Sequence, residues 1–105
     1  MMRFGRGSRF EDLVERQLEL FLRESAGLVR EVEEALAAYN RASADEAEER
    51  YEKFLDLVET GRDELALLRD TYARTLDPEE SEEYEEEFNR LVRKRLPRFG
   101  LEIEY

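Results

Sequence analysis

Apolar side chains recur at alternating steps of four and three along two long stretches of this chain. The first set is Val14, Leu18, Phe21, Ser25, Leu28, Val32, Ala35 and Tyr39. The second is Tyr51, Phe54, Val58, Gly61, Leu65, Leu68, Tyr72 and Thr75. Steps of this kind return to the same face of an α-helix, so each set predicts one long amphipathic helix. Phe10, Leu13, Leu22, Val29 and Leu36 widen the first stripe, and Leu55 and Leu76 the second, to the breadth of a core-facing helix. A shorter set follows at Tyr84, Phe88, Leu91, Val92 and Leu96.

Capping residues mark the starts. Ser8, Ser43 and Asp77 each stand three residues before a glutamate, the reciprocal arrangement that satisfies otherwise orphaned backbone N–H groups. Pro78 adds a first-turn proline, where its missing N–H costs nothing. Helices are therefore expected over about 9–42, 44–76 and 78–96, behind a basic N-terminal tail at 1–8. The connection Asn40-Arg41-Ala42-Ser43 is too short for anything but an antiparallel return. The expected fold is all-α, an up-down-up three-helix bundle with two long helices and a shorter third. Pro97 should stop the last helix. Phe99, Leu101, Ile103 and Tyr105 then alternate with other residues, which predicts an extended tail over 97–105.

These lengths do not match. A helix of about 33 residues is roughly 50 Å long, whereas one of about 19 is under 30 Å. The third helix can cover only the end of the hairpin holding Phe10 to Phe21 and Leu65 to Tyr72. Leu28, Val32, Leu36, Tyr39, Tyr51 and Phe54 belong to the other end, where two helices alone cannot bury so wide a stripe. The C-terminal tail could cover part of it, but a second copy would do so more completely, so a homo-oligomer is expected with those six residues at its interface. Ser25 and Gly61 fall at core positions on about the same level, predicting a narrow waist filled by Phe88, Leu91 or Val92.

Composition narrows the function. The 105 residues form one domain, 43% charged with net charge −11, which argues against binding nucleic acid. The 41% apolar content, with six Phe and five Tyr, is too high and too regularly spaced for a disordered acidic segment. No apolar run approaches a membrane span and no secretory core follows the first methionine, so a cytoplasmic protein without membrane insertion is expected. Histidine and cysteine are absent, which removes the commonest general base, the Ser-His and Cys-His nucleophile pairs and imidazole or thiolate metal sites. No glycine-rich phosphate loop is present. The chain reads as a non-enzymatic module acting by protein–protein contact. The charge of the third helix is split, acidic from Asp77 to Glu87 and basic at Arg90, Arg93, Lys94, Arg95 and Arg98. That polarity suits the helix dipole, and the acidic half also suits a basic protein partner.

One acidic pattern has metal-ligand spacing. Glu52 and Asp56, then Glu59 and Asp63, stand four apart on the solvent face of the second helix. Such pairs can share a divalent or ferric ion when further oxygens complete the shell, so the alternative function is an oligomeric carboxylate metal-binding protein whose site forms between subunits. Two long helices joined by a short turn, followed by Glu59-Thr60-Gly61-Arg62-Asp63-Glu64-Leu65, resemble one three-helix repeat of the PhoU-like family of phosphate-uptake regulators. The opening Arg9-Phe10-Glu11-Asp12-Leu13-Val14-Glu15 also resembles the start of shorter PhoU-related proteins. The likeness covers about residues 9–76 and implies phosphate-uptake regulation, with metal at Glu59 and Asp63. The family normally carries two such repeats, and the region after Asp77 does not match it. Gly61, Ala66, Ala73, Leu76, Asp77 and Pro78 also resemble a single tetratricopeptide unit, which would imply an adaptor. Lys53 and Asp70 occupy positions that unit would want apolar.

Overall fold

Helix-forming sequence dominates the chain, and the computed structural model, which describes residues 9–100, is all-helical. Its elements are α1 (Glu11–Glu24), α2 (Ala26–Asn40), α3 (Ala44–Ala73), α4 (Pro78–Arg95) and a 3-10 turn at Pro97–Phe99. Two of the predicted starts hold. Ser43 and Glu46 form the capping box of α3, and the Asp77 carboxylate accepts a hydrogen bond from Glu80 N at 2.9 Å with Pro78 in the first turn. Ser8 lies outside the described residues, and α1 begins at Glu11 with Phe10 at its N-cap.

The expected first helix is two helices. At Ser25 the backbone turns to φ −112° and ψ 28°, although Ser25 N still donates to Phe21 O at 2.8 Å and Val29 N to Ser25 O at 3.0 Å. Ser25-Ala26-Gly27 supplies the cause. Serine and glycine are weak helix formers, and such pairs are a recognised source of kinks. The Ser25 hydroxyl donates instead across to Glu64 Oε1 on α3, at 3.0 Å.

Above the kink α2 packs along α3 as an antiparallel pair. Below it α1 and α3 both pack on α4. Tyr84, Phe88, Leu91 and Val92 of α4 are fully buried there, with Val14 of α1 and Leu65 of α3. The Tyr84 ring meets Phe10 edge-on at 5.6 Å and Tyr72 at 4.9 Å. Its hydroxyl donates to Gln17 Oε1 at 2.8 Å, so this buried phenol has a partner. Burial pushes the phenol up to about 12, leaving it protonated at neutral pH. Glu87, also buried, accepts from Arg90 Nη2 at 2.6 Å and Nε at 3.2 Å.

The segment after Pro97 is not extended where it is described. Proline at the start of the 3-10 turn brings the chain round so that Phe99 is buried, 6.0 Å from the Phe21 ring and edge-on to it. Phe99 also fills the space left by Gly61: a Cβ on Gly61 would lie 2.7 Å from Phe99 Cδ1. The expected waist exists, but the C-terminal turn fills it rather than Phe88, Leu91 or Val92. Ser25 is half-buried at the kink beside it. Arg98 closes the turn with two hydrogen bonds to Glu33, at 2.7 and 3.2 Å. Residues 101–105, which the period-two reading also covered, lie outside the described residues.

Candidate functional site

The 30 residues of α3 outrun the 18 of α4, so α4 and the C-terminal turn end part-way along the hairpin. They reach α2 at Glu33, held by Arg98, and α3 at Gly61, met by Phe99. Beyond that level Ala35 and Val58 are still buried and Phe54 still packs against the core, but among the described residues the apolar stripe is progressively less covered. Tyr51 and Leu55 are each 43% exposed, and Leu36, Tyr39 and Phe54 are half-buried. The aromatic members form a chain: Tyr39 to Tyr51 at 5.1 Å and Tyr51 to Phe54 at 6.1 Å between ring centres.

Of the six residues expected at an interface, Leu36, Tyr39, Tyr51 and Phe54 gather at this free end. Val32 does not offer surface. It is 1% exposed and belongs to the core cluster that also holds Phe99 and the buried residues of α4. Leu28, lower still, packs against the same core and is half-buried. Leu55 belongs with the free end, and its place one residue after Phe54 in the widened stripe is the signal for it.

The opposite side of the hairpin is charged. A cleft of 260 Å³ between α2 and α3 is lined by Glu31 and Glu34 on one rim and Arg50 and Lys53 on the other, over Ala35, Ala38 and Leu57. Neither Arg50 nor Lys53 pairs with a carboxylate among the described residues.

Glu59 and Asp63 lie exposed on α3, as do Glu52 and Asp56. Among the described residues no three such groups converge as metal ligands. Four-residue spacing aligns carboxylates along a helix without bending them toward one point, and here no neighbouring helix supplies the missing oxygens. The unbroken α3 also departs from a tetratricopeptide unit, whose 34 residues must hold two helices and a turn. No helix among the described residues is long and apolar enough to cross a membrane. No protein-family model, curated protein or solved structure matches the chain.

Proposed function

We propose that this protein is a non-enzymatic, cytoplasmic helical module that works by protein–protein contact and self-associates through the free end of its hairpin. The observation that carries the reading is the contiguous exposure of Tyr51 and Leu55 beside Leu36, Tyr39 and Phe54, on a hairpin that outruns its covering helix. Aromatic residues give large contact area at low entropic cost, and they are enriched at protein interfaces. The chain's own turn is no substitute cover: Phe99 sits at Gly61, about 15 Å down the helix from Tyr51. Two hairpin ends packed together would extend the helical core on which α4 stops short.

Sedimentation equilibrium at micromolar concentration tests this. The wild-type chain should be a dimer or larger, and Tyr51→Ser combined with Leu55→Ser should be monomeric with its helix content retained. A monomeric wild type would overturn the reading. The PhoU resemblance supplies a cellular setting, regulation of phosphate uptake. Unchanged phosphate uptake in a deletion strain would remove that setting and leave the interaction module.

A further inference from the structure

The kink at Ser25 also forms one wall of a surface groove. The groove lies between α1 and α3, lined by Gln17, Leu20, Phe21, Glu24, Glu64 and Leu68 together with Ser25 itself. Leu20 stands outside the stripe that packs the core, yet it is an apolar residue 45% exposed at the groove's edge. Leu67, next to Leu68 on α3, is 64% exposed, the highest value among the large exposed apolar residues. The groove measures 170 Å³, below the range of about 300–1,000 Å³ typical of small-molecule pockets. It is a size for one large side chain of a partner. Its charged lining is acidic only: Glu24 and Glu64, with Glu64 holding the Ser25 hydroxyl rather than a cation.

We infer that this groove is a docking site for a cationic amphipathic helix of another protein, one that inserts a large apolar side chain between Leu20 and Leu68 while flanking Lys or Arg residues meet Glu24 and Glu64. Charge decides the occupant. The same groove of a second copy would bring Glu24 and Glu64 against each other, and like charges placed in contact disfavour that pairing. Of a copy's cations, Arg90, Arg95 and Arg98 are already paired with Glu87, Glu15 and Glu33 within the chain, and Arg50 and Lys53, unpaired among the described residues, stand at the free end of the hairpin, where self-association is proposed. An apolar helix face laid into a groove, with basic neighbours on acidic rims, is an established recognition mode. The site is distinct from the hairpin's free end, so the two can be tested separately.

The probe is a fluorescein-labelled helical peptide carrying Leu at i, i+3, i+4 and i+7 and Lys elsewhere. A peptide with Glu in place of Lys is the control. Anisotropy at 0.15 M salt should show saturable binding of the Leu/Lys peptide alone. Leu20→Gln keeps the charge and removes half-exposed apolar surface; it should weaken binding about fivefold to tenfold. Glu24→Gln with Glu64→Gln should weaken it similarly and flatten its salt dependence. Amide shifts of the wild-type protein, which need no variant to fold, should concentrate at Leu20, Glu24, Glu64 and Leu68. Equal affinity of wild type and Leu20→Gln would overturn the inference, because binding would then be diffuse charge attraction. Shifts centred on other acidic faces, or no saturable binding, would overturn it as well.

Discussion

Around Leu65 the molecule is three helices thick, and around Tyr51 it is two. Both levels carry the same alternation of apolar positions, and both belong to α3. At the first, α4 turns the stripe into a closed core in which Leu65, Phe88 and Leu91 lose all exposure. At the second, an equally aromatic stripe leaves Tyr51 and Leu55 near half-exposed. Amphipathic spacing decides which face of a helix is apolar. Whether that face becomes core depends on how far the neighbouring helix reaches.

Substitutions across this divide should separate the two levels. The largest effect is expected in the covered half: Phe88→Ala should lower unfolding free energy by about 3–5 kcal/mol, through lost transfer energy and an unfilled cavity. Denaturant titration checks it, and a loss under 1 kcal/mol would mean that the covered half is as loosely packed as the free end. Next comes Gly61→Ala. Its helix propensity gain of about 1 kcal/mol should be outweighed by overlap with the Phe99 ring, leaving a net loss of about 1–2 kcal/mol. In a Phe99→Ala background the same change should become stabilising, and a double-mutant cycle measures that reversal of sign. Smaller again, Tyr51→Ser should change the monomer's stability by under about 1 kcal/mol, because the ring is only partly buried. Its effect should appear in the sedimentation profile instead.

The smallest expected effect concerns pH. The hydrogen bonds from Arg98 hold the Glu33 carboxyl below its ordinary value of 4.5. A depressed folded-state pKa contributes stability above the unfolded value and loses it as pH falls through the folded one. Below pH 4.5, therefore, the C-terminal turn should loosen before the helices do. Both partners are largely solvent-exposed, which keeps the contribution small. Amide exchange at Phe99 followed from pH 6 to 3 would show it; exchange that is no faster than the core's at pH 3 would refute it. Glu33→Gln should remove the dependence.

Local signals were the legible ones. The starts of α3 and α4 rest on residues three apart, Ser43 with Glu46 and Asp77 with Glu80, and such pairs need no tertiary context. The kink was hidden because Ser25 falls in register between Phe21 and Leu28. A stripe continuous across it says nothing about the backbone angle, whereas Ser25 and Gly27 two residues apart were the available sign. Gly61 was readable as room for a large side chain, but the occupant comes from a turn distant in sequence, and Pro97 indicates only that α4 ends. Four of the six proposed contact residues gather at the free end because the mismatch in helix length follows from arithmetic. Val32 was misplaced because the Phe99 turn extends the cover beyond α4 itself. The acidic spacing of Glu59 and Asp63 fixed a shared helix face and no more, since convergence of ligands is a property of several elements.

Phe99 also has a meaning in time. Emerging from the ribosome, the chain delivers α1, α2 and α3 first, so a hairpin can form while the slot beside Gly61 and Phe21 still stands empty. That slot is filled by an aromatic ring that arrives after all four helices, meeting Phe21 in the last turn of α1 and Gly61 on α3. Until α4 has followed, the apolar flank of the hairpin is open along its whole length, the condition under which nascent chains are most prone to associate wrongly. A nascent chain stalled before Phe99 would carry α1 to α4 with the slot beside Gly61 and Phe21 still empty.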